Sequence, residues 1–148
     1  MGLEGLYQEI ILDHYKNPRN RGPIENPDID IFESNPLCGD EIHLQAKLDG
    51  QKLTDVRFEG KGCSISIASA SMMTEVIRGH SHEHAHKFID GVRAMMHGEE
   101  KMSNEELGDM EALKGVADFP ARVKCALLAW TTLEKALNDK LSGGKKVT

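Results

Sequence analysis

Three cysteines and one aspartate are the residues of this 148-residue chain whose types and settings could do chemistry. Cys38 stands in Asn35-Pro36-Leu37-Cys38-Gly39-Asp40, a loop sequence with a carboxylate two residues further on. Cys63 follows Gly60-Lys61-Gly62 at an expected helix start, where the macrodipole favours a thiolate. Cys125 falls inside the expected last helix, next to Lys124 and on the same face as Arg122. Three thiolates and one carboxylate complete a four-coordinate zinc site or the ligand shell of a small iron–sulfur cluster. The competing reading is three unrelated cysteines that serve as small buried apolar residues. No C-x-x-C pair is present to favour the ligand reading, and its absence also speaks against a zinc ribbon or a thioredoxin-type redox site.

The elements that must gather these residues follow from periodicity. Leu3, Leu6, Tyr7, Ile10 and His14 share one stripe, so residues 3–15 read as an amphipathic helix that Asn17-Pro18 ends. A loop over 19–30 precedes strands over 31–34 and 41–48, the second with Ile42, Leu44, Ala46 and Leu48 alternating with polar residues. Asp49-Gly50 predicts a hairpin turn, and Leu53, Val56 and Phe58 predict a third strand to about 59. From Cys63 the period changes: Ile65, Ala68, Met72 and Val76 share a helical face, and Ser66, Ser69 and Ser71 keep that helix slim. Ser81 caps a helix through about 96, Ser103-Asn104-Glu105-Glu106 forms a capping box, and Pro120 opens the final helix. Val123, Leu127, Trp130 and Leu137 give that helix its buried side. Strands before helices imply an α+β fold: a small antiparallel three-stranded sheet covered on one face by helices, with an N-terminal helix and a long C-terminal helix. One domain over 1–148 is expected, with a disordered tail over about 142–148.

Composition limits the functions available. Hydrophobic residues at 39% and charged residues at 28% are globular proportions, and the length supports a core without disulfide staples. A net charge of -6 speaks against a dedicated nucleic-acid binder, which needs a basic face. No stretch approaches the roughly 18 apolar residues of a membrane span, so no membrane partner is expected. The first residues carry acids and no basic run, unlike a targeting leader, and an odd cysteine count fits a reducing compartment; the expected location is cytoplasmic.

Several motifs in order resemble the U-type iron–sulfur cluster assembly proteins (the IscU/SufU family, similar to the NifU N-terminal domain). They are Leu12-Asp-His-Tyr-Lys-Asn-Pro-Arg-Asn20, Asn35-Pro-Leu-Cys38-Gly-Asp40, Gly60-Lys-Gly-Cys63-Ser-Ile-Ser66, Ala68-Ser-Ala-Ser-Met-Met-Thr-Glu75 and Phe119-Pro-Ala-Arg-Val-Lys-Cys125-Ala-Leu-Leu-Ala-Trp130. The resemblance runs from about Leu6 to Leu137. The IscU branch has a His immediately before its third cysteine, where this chain has Lys124. The chain also carries an extra segment over about 98–118. Both features are similar to the SufU branch. That resemblance implies a zinc ion held by Cys38, Asp40, Cys63 and Cys125, and a PLP-dependent cysteine desulfurase (SufS-like) as the sulfur donor. It implies relay of the sulfur to a downstream cluster scaffold or to apoproteins.

Cys38, on a loop beside glycine, is the ligand most easily released and hence the expected sulfur acceptor. Arg122 and Lys124 are candidates to offset the site's negative charge, with solvated helix charges as their alternative. The resemblance then implies a zinc-dependent sulfurtransferase, or alternatively a scaffold on which a [2Fe–2S] cluster is built from the same four residues. The oligomeric state, homo-oligomer included, is left open. The tract His80-Ser-His-Glu-His-Ala-His86 suggests a metal store, but a spacing of two scatters its rings around a helix, leaving only the pairs His80/His84 and His82/His86. His14 reads as a satisfied structural histidine beside the apolar stripe.

Overall fold

The computed structural model describes residues 2–36 and 39–141, so Cys38 and the tail expected over 142–148 lie outside the described residues. Helix α1 (Gly2–Lys16) stops just short of Asn17-Pro18, because the residue before proline avoids the helical region. Strands β1 (Ile29–Asn35), β2 (Asp40–Asp49) and β3 (Lys52–Lys61) form an antiparallel meander. Asp49 pairs with Lys52, so the two turn residues are Gly50 and Gln51, one position later than the sequence suggests. Gly50 takes φ 64° at the first of them, as a type II′ turn requires.

The sheet has four strands, not the three expected. The fourth, β4 (His80–Ser81), pairs antiparallel with Lys52 and Leu53 at the β3 edge. Two residues carry no alternation for a periodicity argument to detect, and only tertiary pairing makes them a strand. A second irregularity explains the odd spacing of Leu53, Val56 and Phe58. The register shifts between Lys47 and Leu48, which leaves Thr54 without a partner as a bulge. The extra residue lets Leu53 and Val56 bury on one face although they are three apart. With Ile42, Leu44, Ala46 and Phe58 they form the covered face; the opposite face leaves Phe32 exposed.

Helix α2 (Ser64–Ile77) is buried nearly all round from Ser66 to Thr74. Its serines do more than keep it slim. Ser69 Oγ accepts the Trp130 indole N–H at 3.0 Å and donates to the Ala126 carbonyl at 2.7 Å. Trp130 belongs to helix α5 (Pro120–Leu141), is fully buried, and stacks on Phe88 with ring centroids 6.4 Å apart. Helix α3 (His82–Met96) is capped by Ser81, whose side chain accepts the His84 N–H at 3.1 Å. The capping box of Ser103 and Glu106 starts the short helix α4 (Asn104–Leu107), which continues as 3-10 turns over Gly108–Asp118. These turns are tied back to α1: Glu111 accepts the Tyr7 hydroxyl, and Asp109 meets His14. Among the described residues no helix is long and apolar enough to cross a membrane.

The start of α3 carries a pH dependence. Burial holds the His84 imidazole below its ordinary pKa, opposed by a hydrogen bond between Nε2 and the Val76 carbonyl at 3.0 Å. Below about pH 6.5 the unfolded chain therefore binds a proton that the folded chain resists, and stability falls as pH falls. Melting temperature should drop between pH 7 and pH 5, and His84→Gln should flatten that slope. Equal slopes for the two proteins would exclude His84 as the cause.

Candidate metal centre

Three elements meet at the candidate centre. Asp40 opens β2, opposite Asn35 of β1. Cys63 is the N-cap residue of α2, in extended conformation, and its carbonyl accepts the Ile67 N–H. Cys125 lies in the second turn of α5, with its thiol 3.8 Å from the Ala121 carbonyl of the preceding turn. One ligand atom from each of the three residues lies within 4.8 Å of the others.

The Asp40 carboxylate is the informative member. Only 1% of the residue is exposed. Its Oδ1 accepts the Cys63 backbone N–H at 3.0 Å, and its Oδ2 lies 3.9 Å from Cys63 Sγ. Among the described residues no lysine, arginine or histidine pairs with it. A buried carboxylate is ordinarily paired with a cation or coordinates a metal, because leaving it bare is costly. Gly62 makes room for it. At φ 151° it adopts a backbone conformation that L side chains rarely take, and a Cβ there would lie 2.7 Å from Asp40 Cγ.

The donor set fits zinc. Zinc bonds of about 2.3 Å to sulfur and 2.0 Å to oxygen in a tetrahedron separate S and O by about 3.5 Å and two sulfurs by about 3.8 Å. The observed 3.9 Å between Cys63 Sγ and Asp40 Oδ2 is close to that spacing. Two thiols suit an iron–sulfur cluster equally well. Cys63 is partly exposed while Cys125 and Asp40 are buried, so the centre is approached from the Cys63 side.

The structure thus brings Asp40, Cys63 and Cys125 together, while Cys38 lies outside the described residues two positions before Asp40. Arg122 and Lys124 are both exposed and flank Cys125 on different grooves. Arg122 lines one with Tyr7, Ser64, Ile65 and Phe119, and Lys124 lines another with Glu33 and Pro36. Phe119, 61% exposed, is an apolar residue of the Arg122 groove that periodicity could not single out, since its only sequence signal is its place before Pro120. In the sequence Gly62 reads only as part of the stop to the third strand, and its packing against Asp40 depends on the tertiary approach of β3 to β2.

The histidine tract forms the two pairs its spacing allows. His80 and His84 stack at 4.1 Å, and His82 and His86 meet edge-on at 6.0 Å. Among the described residues neither pair gains a third ligand.

Comparison with known proteins gives consistent matches over nearly the whole chain. The NifU-like N terminal domain matches residues 6–139. The zinc-dependent sulfurtransferase SufU of Bacillus subtilis is 50% identical over 141 residues, which is 95% of each chain. The iron-sulfur cluster assembly scaffold protein IscU of Streptococcus pyogenes is 42% identical over 91% of this chain and 84% of its own. A crystal structure from Fervidobacterium islandicum, described as a cluster assembly scaffold protein for the SUF system, superposes with a TM-score of 0.83 at 40% identity. It covers 92% of this chain and 99% of that one. A NifU-like N-terminal protein of Brucella abortus superposes with a TM-score of 0.85 at 22% identity, covering 95% and 98% of the two chains, and shares the fold.

Proposed function

The chain belongs to the family of NifU-like N-terminal domains, and from that premise we propose that it is a zinc-dependent sulfurtransferase of iron–sulfur cluster assembly. In this reading Cys38, Asp40, Cys63 and Cys125 hold the metal, and Cys38 accepts persulfide sulfur from a PLP-dependent cysteine desulfurase. The sulfur then passes to a downstream scaffold or apoprotein. The observation that carries the reading is the buried Asp40 carboxylate, unpaired with any described cation, beside two thiols within 4.8 Å.

Zinc bound there holds its thiols as thiolates and protects them from oxidation. The chain's own residues do the rest. The Cys63 N–H fixes the rotation of the Asp40 carboxylate, and the α2 N-terminus favours negative charge on Cys63. A free Cys38 thiolate attacks the terminal sulfur of the desulfurase persulfide. A new S–S bond forms to Cys38 as the old one breaks, and the desulfurase cysteine leaves as its thiolate. In this reading the exposed charges of Arg122 and Lys124, close to Cys125 in α5, favour approach of an anionic persulfide.

A second reading keeps the same ligands for a [2Fe–2S] cluster built here and transferred onward; the thiol-rich donor set supports it. Anaerobic purification with metal analysis separates the two: one zinc and no chromophore for the carrier, stoichiometric iron and sulfide for the scaffold. The acceptor role is tested by desulfurase turnover. Wild type should stimulate it and Cys38→Ser should not; equal stimulation by both proteins would end the sulfur-acceptor reading.

A further inference from the structure

His14 of α1 is fully buried, yet its Nε2 points at two carboxylates that reach solvent. Asp109, from the 3-10 turns, places Oδ2 at 2.8 Å from that nitrogen, and Glu75, from α2, places Oε1 at 4.0 Å. These side chains are about half exposed, at 53% and 45%. The three ligand atoms all lie within 4.8 Å of one another. The other ring nitrogen, Nδ1, is held at 2.8 Å by Ser71 Oγ, which also accepts the Arg19 backbone N–H at 2.9 Å. Ser71 is buried and its oxygen is thus engaged, so it anchors the ring and does not act as a nucleophile.

Each part has a simple physical meaning. One N–H can serve one acceptor, so the proton on Nε2 satisfies Asp109 and leaves Glu75 facing a like charge. Glu75 makes no hydrogen bond among the described residues. Arg19 feels both carboxylates, but its guanidinium is engaged by Asp13 at 2.7 Å and by the Asn17 carbonyl at 3.0 Å. An imidazole whose second nitrogen is fixed by a hydrogen bond, with its first aimed at carboxylates, is the usual support of a metal-binding histidine. Metal bonds of about 2.1 Å put adjacent ligands about 3 Å apart and opposite ones about 4.2 Å apart. The observed separations of 2.8 and 4.0 Å span that range.

We propose that His14, Glu75 and Asp109 form a second metal site, for a divalent first-row cation that accepts mixed nitrogen and oxygen ligands. It differs in chemistry from the thiol centre: one imidazole and two carboxylates suit Mn(II), Fe(II) or Co(II) better than a soft, thiol-seeking ion. Binding uses the Nε2 lone pair of the neutral ring whose proton sits on Nδ1, where it donates to Ser71 Oγ, and the cation supplies a charge that both carboxylates share. Because the ligands come from α1, α2 and the 3-10 turns, the cation joins three elements at one point. This site stands independently of the sulfur-transfer reading, since it uses none of the same residues.

The test uses the full chain with its thiol centre first filled by zinc, followed by titration with Mn(II) and detection of free Mn(II) by electron paramagnetic resonance. Wild type should bind one further ion per chain with half-saturation at or below about 1 mM, the weak end for oxygen-rich sites. Asp109→Asn and Glu75→Gln, both at exposed carboxylates, should each weaken that binding at least about tenfold, the usual scale for disturbing a site's ligand environment. Co(II) added in place of Mn(II) should give weak ligand-field bands without the thiolate charge-transfer band of the thiol centre. The double variant His82→Asn/His86→Asn should leave the extra ion in place. No second ion, binding untouched by Asp109→Asn and Glu75→Gln, or loss of the ion only in the His82/His86 variant would each overturn the proposal.

Discussion

Gly62→Ala should strip the thiol centre of its metal while leaving the protein folded. A Cβ at position 62 would fall 2.7 Å from Asp40 Cγ and closer still to Oδ1. The carboxylate must swing away, and the 3.0 Å bond from the Cys63 N–H goes with it. The φ of 151° adds strain on the order of 1–3 kcal/mol for a residue with a side chain. Position 62 lies in the turn before α2 and outside the core, so the helices and the sheet should persist. Metal affinity, measured by competition with a chelator, should fall on the order of 100-fold, the upper range for disturbing the groups that orient a ligand. Circular dichroism on the same sample should be unchanged. Unaltered affinity would mean that the Asp40 carboxylate is not a ligand in the position the structure gives it.

Trp130→Ala should be the most destabilising single change in the core. The side chain is fully buried, packs on Phe88, and donates to Ser69 Oγ. Truncating such a residue costs about 3–5 kcal/mol through lost transfer energy and the cavity left behind. That is a large share of the roughly 5–15 kcal/mol that holds a domain folded. At about 2–4 °C per kcal/mol for a chain of this size, melting should fall by about 6–20 °C. Trp130→Phe keeps an aromatic ring near Phe88 but removes the donor and the second ring, so it should cost less than the alanine variant, about 1–3 kcal/mol. Urea midpoints of the two variants measure both. A loss below about 1 kcal/mol for the alanine variant would show that α2 and α5 are held by other contacts. The same two helices carry Cys63 and Cys125, so loosening them should weaken the metal centre as well.

Much of this was readable before any coordinates. The amphipathic stripe of α1, the alternation of β2, the Ser81 cap and the Ser103–Glu106 box are local patterns, and local patterns survive folding when tertiary contacts agree with them. The candidate ligand types were also readable, because Asp40, Cys63 and Cys125 each sit at a boundary or in a polar setting, and the structure gathers the three within 4.8 Å. What the sequence concealed depends on long-range approach. The bulge at Thr54 and the two-residue β4 exist only because β3 pairs on both sides. The turn falls at Gly50-Gln51 because Asp49 pairs with Lys52. Ser69 and Ser71 looked like small residues for close packing; the structure gives them partners on α5 and α1 that no spacing rule announces.

The three described candidate ligands of the thiol centre come from β2, the α2 N-cap and α5, and the last lies far along the chain from the first two. A nascent polypeptide still emerging from the ribosome therefore displays Asp40 and Cys63 well before Cys125 has been synthesised. Without the Cys125 thiolate such a partial site lacks one of the four donors that complete a tetrahedral zinc shell. In the proposed ligand set the shell closes only when α5 has docked through Trp130 and Ser69, which ties a complete metal site to a complete core.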